Sequence, residues 1–113
     1  MKNNGEVKAP LNIIIAGAVN NPRVDILDGD TIISSLKIMV KSDDCIITVN
    51  SDESDQFITI TENGVTKNAY QMQDFSCDNF LFIDKGEKKI RFSPGVNAKT
   101  TCNIQLLEGY GGN

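Results

Sequence analysis

Apolar residues recur at every second position over most of the chain, the period of a half-buried β-strand and not of a helix. In "RVDIL", Val24 and Ile26 alternate with Arg23 and Asp25; in "SLKIMVK", Leu36, Ile38 and Val40 alternate with Ser35, Lys37 and Met39. "QFITIT" sets Ile58 and Ile60 on one face and Phe57, Thr59 and Thr61 on the other, while "CNIQLLE" gathers Cys102, Ile104 and Leu106 on one side. β-Branched residues dominate these stretches, and their stiff side chains suit a pleated surface. Turn chemistry separates them. Asn20-Asn21-Pro22 ends the first strand and Asp28-Gly29-Asp30 the next, and "KSDD" and "NSDESD" flank a short strand from Cys45 to Val49. Asn63-Gly64 predicts a tight hairpin, because both residue types tolerate positive φ. "YQMQDFSCDNF" (70–80) has room for one turn of helix. The pattern predicts an all-β fold, an antiparallel β-sandwich of about nine strands. Residues 1–10, polar and containing Gly5 and Pro10, are expected to form a linker or flexible N-terminus, and residues 11–113 a single sandwich domain.

The stretch "FLFIDKGEKKIRFS" (80–93) departs from strict alternation. Its continuous apolar run Phe80–Ile83 predicts a strand covered on both faces, central in a sheet. Lys85-Gly86 reads as a turn and Lys89–Ser93 as the hairpin partner, with Ile90 and Phe92 inward and Arg91 outward. Charges at such a tip stay in water and discourage pairing between copies.

Composition narrows the function. At 113 residues the chain is one domain, able to bury about two-thirds of its unfolded surface. Eleven basic against fifteen acidic residues give a net charge of −4, which excludes nucleic acid as a partner, since a phosphate backbone needs a dense field of cations. Cys45, Cys77 and Cys102 are odd in number and lack C-x-x-C spacing; they fit free thiols of a reducing cytoplasm better than a disulfide framework or zinc site. The N-terminus imitates a secretory signal, but Glu6, Pro10 and Asn12 interrupt it, and it reads as a first strand. The longest apolar run, Ile13 to Val19, falls far short of the ~20 residues of a membrane span. No membrane insertion is expected.

The chemistry of catalysis is sparse. Zero histidines removes the commonest general base and imidazole ligand. No phosphate loop occurs, and the terminal "GYGG" lacks the helix a dinucleotide fingerprint needs. The acidic candidates are Asp43 and Asp44, then Asp52, Glu53 and Asp55. A strand of about six residues separates the two groups by ~20 Å, too far to share an ion or a glycosidic bond. Asp52, Glu53 and Asp55 lack the glycine and distal glutamate of an EF-hand loop. They read as solvated turns. No catalytic, cofactor-binding or metal-binding residue is assigned, and a non-enzyme is expected.

The order of features is more specific than any one of them. "VKAPLNIIIAGAVNNPRVDI" is followed by "DCIITVNSD", "ENGVTKNAY", "DNFLFIDKGEKKIRFSPGV" and finally "NIQLLEGYGGN". This order resembles the C-terminal domain of the distal tail proteins of long-tailed bacteriophages and related prophage tail components. The matching positions are Ile15 and Gly17, Asn21 and Pro22, Ile47 to Asp52, Asn63 and Gly64, Phe80, Phe82, Gly86, Ile90 and Phe92, then Tyr110 and Gly111. Lys85 stands where the family has proline, Lys88 where Asn is common, and the final strand lacks a Tyr-Arg pair. The family's N-terminal ring-forming domain has no counterpart here, which fits an excised domain or a different tail component using the same module. The resemblance implies a galectin-like, jelly-roll-like sandwich in the virion tail, assembled in the bacterial host cytoplasm. It would be a structural module of the tail tip or baseplate, docking the ring-forming domain, a tail fibre or a receptor-binding protein.

Two other readings stand beside it. One is a free-standing carbohydrate-binding or adhesin module of a bacterial cell surface; the other is an accessory domain of a larger phage hydrolase. Asn21-Pro22-Arg23 echoes part of the galectin sugar motif, but the Trp and His that accompany it are missing. Weak carbohydrate binding would then rest on an aromatic platform at Tyr70 or Tyr110, and Asn21-Pro22 reads as a turn. The register itself is testable. Phe92→Ala should cost roughly 3–5 kcal/mol in chemical denaturation, and Arg91→Ala little; equal, small losses at both would reverse the assigned faces.

Overall fold

A computed structural model describes residues 2–3, 9–52, 55–77, 80–83 and 86–106, and among these described residues are eleven antiparallel strands and one 3-10 turn. In chain order they are β1 (Lys2–Asn3), β2 (Ala9–Asn20), β3 (Arg23–Asp28), β4 (Thr31–Lys37), β5 (Lys41–Asn50), β6 (Phe57–Glu62) and β7 (Val65–Asn68). The 3-10 turn Tyr70–Met72 follows, then β8 (Phe82–Ile83), β9 (Gly86–Glu87), β10 (Lys89–Ser93) and β11 (Thr101–Leu106). One sheet runs β11-β2-β5-β6-β7, with β8 paired to the start of β2; a smaller one runs β10-β3-β4. The two pack as an antiparallel β-sandwich.

Alternation explains the packing. β2 turns Leu11, Ile13 and Ile15 inward, β5 turns Cys45, Ile47 and Val49, and β6 turns Ile58 and Ile60. They meet Val24 and Ile26 of β3 and Leu36 of β4, and every one of these is at most 2% exposed. Ile90 and Phe92 of β10 lie opposite Ile26 and Val24 and pack partly buried against this core, so the assigned register of that strand holds. At full burial each such aliphatic side chain contributes about 1.5–3 kcal/mol.

Two irregularities redirect the strands. Between the pairs Gly17↔Cys45 and Val19↔Ser42, Ala18 faces both Asp43 and Asp44. The extra residue on β5 reverses its alternation, which buries Ser42 and exposes both aspartates. On β4 the extra residue is Ile33, between Ile32↔Leu27 and Ser34↔Ile26; such a bulge blunts an edge strand. The Asn63-Gly64 turn forms as expected, with φ of 52° and 78° joining the pair Glu62↔Val65.

Two expectations need correction. Phe80–Ile83 is not the hairpin partner of Lys89–Ser93: Phe82 and Ile83 pair with Pro10 and Ala9, whereas β10 pairs with β3 in the other sheet. Only Leu81 and Ile83 are fully buried there, and Phe80 and Phe82 are partly so. Between β8 and β10, Gly86–Glu87 pairs with Lys2–Asn3. Asp84 and Lys85 lie outside the described residues. Of residues 1–10, Lys2–Asn3 pair with Gly86–Glu87, and Ala9–Pro10, the start of β2, pair with Phe82–Ile83. "KSDD" is also not a turn. It opens β5, which spans ten residues.

Where the chain passes between sheets, Asn20 donates its N–H to the Pro94 carbonyl at 2.9 Å. A Cβ at Gly95 (φ +80°) would lie 1.8 Å from the Asn20 carbonyl oxygen, whereas Gly64 (φ +78°) has open space around it. Gly64→Ala should therefore cost only the left-handed strain, about 1–2 kcal/mol. Gly95→Ala should cost clearly more, since backbone must move as well. Denaturation midpoints of the two variants, compared at equal slope, check this.

Candidate functional site

Strand register decides what the sandwich displays. On the large sheet the outward positions form three cross-strand rows: Gln105–Asn12–Asn50–Phe57, Asn103–Ile14–Thr48–Thr59–Asn68 and Thr101–Ala16–Ile46–Thr61–Thr66. None of these fourteen residues is charged. An ordinary solvent-facing surface carries about 25–35% charged residues, so about four would be expected here. Ile14 and Ile46, on adjacent strands, are 44% and 47% exposed near the middle of the patch. Thr61 and Thr66 share a hydrogen bond at 2.7 Å. Charges begin only at the margin, with Asp44 on β5 and Glu62, which accepts a bond from Ser42 Oγ at 2.7 Å.

The outer face of the small sheet is the opposite in kind. There Lys37, Arg23 and Ser93 form one row and Ser35, Asp25 and Arg91 the next. Asp25 is 2% exposed although it points away from the core. Its Oδ1 accepts from Arg23 Nε and from Ser35 Oγ, both at 2.6 Å, and its Oδ2 accepts from Arg91 Nε at 3.2 Å and Nη2 at 3.0 Å. Burial pushes this carboxyl up, but the bonds from Ser35, Arg23 and Arg91 outweigh it and hold the group below its ordinary value. Arg91 does point outward as its spacing predicts. It is nonetheless no idle surface residue, which corrects the expectation that its loss is nearly free. The sequence signal was Arg23-x-Asp25, two residues on one strand face; the third partner, 66 positions away, had none.

The remaining candidates separate cleanly. Tyr70 is 38% exposed, its ring centroid 5.8 Å from Phe75 and 6.1 Å from Phe80. Beside it lies an open hollow of about 320 Å³, lined by Asn68, Tyr70 and Gln71. Tyr110 and Glu53 lie outside the described residues. Asp43 and Asp44 sit early in β5 and Asp52 beyond its end, so the structure does not bring the two acidic groups together. Among the described residues no group of three or more His, Cys, Asp or Glu could hold a metal ion. Asn21 (φ 53°) is the crossover turn, bonded to the Val40 carbonyl at 2.7 Å, and Arg23 is committed to Asp25. All three cysteines are free; burial raises the Cys45 thiol and pushes Cys102 up to about 11. No helix of the described residues is long and apolar enough to cross a membrane.

No family model, curated protein or solved structure matches the chain.

The Asp25 cluster makes a prediction with a sign. A native carboxyl below its unfolded value of about 3.9 stabilises the fold above that pH, and the contribution is lost as pH falls through the native value. Asp25→Asn should flatten the acid limb of the stability–pH curve below about pH 4. Arg91→Ala should cost about 1–2 kcal/mol at neutral pH, because Arg23 and Ser35 still compensate the carboxylate. Removing Arg23 and Arg91 together should cost more than the sum, since a buried charge is then left without a cation. A double-mutant cycle read by denaturation checks both.

Proposed function

We propose that this chain is a non-catalytic docking module of a phage or prophage tail tip or baseplate, of the kind found at the C-terminus of distal tail proteins. The single observation that carries the docking role is the uncharged face of the large sheet, with Ile14 and Ile46 exposed near its centre. Depletion of charge, more than bulk hydrophobicity, marks the central part of a protein interface. The tail assignment rests on the ordered resemblance from Ile15 and Gly17 to Tyr110 and Gly111. Free thiols agree with assembly in the host cytoplasm before incorporation into the virion tail. The partners would be the ring-forming domain, a tail fibre or a receptor-binding protein.

One observation favours a second reading, a carbohydrate-binding module: Tyr70 with Asn68 and Gln71 combines a ring with amide donors and acceptors in an open hollow. Co-expression with the products of the flanking coding sequences separates the two. The docking reading expects at least one tail component to co-purify stoichiometrically. If none does, and a glycan titration moves the amide resonances of Asn68, Tyr70 and Gln71, the tail reading is wrong and the sugar reading takes its place.

A further inference from the structure

Which occupant the uncharged face would take follows from its chemistry, granted the reading above that it is a docking surface. We propose that it packs against the same face of a second copy of this chain, related by a twofold axis. A twofold contact presents one patch to itself, so any charge in it would meet its own kind nearby. Amides and hydroxyls are donors and acceptors at once, and aliphatic side chains have no sign. The rows built from Asn, Gln, Thr, Ala and Ile, with Phe57 at one corner, satisfy that condition. A partner bringing charges would have to leave them unpaired against this surface, which is costly. A sugar would meet Ile14 and Ile46 at the centre, where stacking asks for a ring; the ring within the rows, Phe57, is partly buried at a corner, and the exposed Tyr70 and Phe75 lie beyond β7.

Size sets the strength. Five strands at about 4.8 Å and three outward rows at about 6.7 Å span roughly 24 by 20 Å. Two such faces bury on the order of 1,000 Å², the lower bound for a specific interface. The dimer is therefore weak, in the micromolar range and concentration-dependent. Each copy carries −4 overall, with Asp43, Asp44 and Glu62 near the margin, and no ion pair crosses the contact. Added salt screens the repulsion and leaves the attraction in place. Self-association then rises with salt, the reverse of what charge-driven stacking of the basic small sheet on an acidic margin would give.

Sedimentation of the purified full chain tests this. The expected result is a weight-average mass rising from 12.4 kDa toward twice that with concentration, and rising further with sodium chloride. Ile46→Lys, at a 47% exposed position that folding does not need buried, should weaken association at least about tenfold with an unchanged melting curve. Ile14→Lys should do the same, and Phe75→Ser at the aromatic corner should not. A chain that stays monomeric to about 1 mM, a dimer indifferent to both lysines, or one that salt dissolves would each overturn the proposal. Tail components are not part of this measurement. A monomer leaves the tail-tip reading standing, and a failed co-purification leaves the dimer standing.

Discussion

The antiparallel pairing of β2 with β5 holds the structure together, and everything the molecule displays depends on its register. β2 runs twelve residues and pairs with β5 on one side and β11 on the other, and at its start with β8. With Ile13 opposite Val49 and Ile15 opposite Ile47, four aliphatic side chains point into the sandwich together. A slip of one residue would turn them into solvent and bring Asn12, Ile14 and Ala16 inside. The amides would then need partners that the interior does not hold. Burial thus selects the register, and the register in turn selects which side chains form the outer rows. The uncharged surface is the reverse side of the core.

The small sheet solves a different problem. With three strands it offers less apolar area, and its outer strand β10 arrives from far along the chain. Asp25 supplies a directional constraint there. Its two oxygens are divided, one toward Arg23 and Ser35 and the other toward Arg91. Shifting β10 by one residue would turn Arg91 to the core side and Phe92 outward. The cost of desolvating the carboxylate is offset only in the observed pairing, so the cluster adds discrimination between registers to whatever net stability it contributes.

Much of this was legible along the chain, and the failures have one cause. Period-two spacing located the strands containing Val24, Leu36, Ile58 and Ile104, and Asn63-Gly64 announced its hairpin, because these signals are local. Pairing between distant segments is not local. Phe80–Ile83 next to Lys89–Ser93 looks like a hairpin, but in a sandwich consecutive strands can belong to different sheets, and β8 finds β2 while β10 finds β3. Arg91 looked free for the same reason. The uncharged face was visible only in fragments, as Thr59 and Thr61 or Asn103 and Gln105; each fragment resembles an ordinary solvated strand, and only the assembled register shows that no charge interrupts them.

That arrangement has a consequence for specificity. An exposed sheet with Ile14 and Ile46 near its centre would invite indiscriminate association if nothing opposed it. Here opposition is placed around the patch. Asp43, Asp44 and Glu62 stand toward strand ends, and the small sheet collects Arg23, Lys37, Lys89 and Arg91 on the far side. Under the proposed pairing, a misaligned copy would meet one of these charges before it covered the isoleucines, and would lose solvation without gaining a partner. In the proposed pairing, attraction would be confined to one alignment because repulsion and desolvation surround it, which is how a weak, neutral surface would choose its occupant.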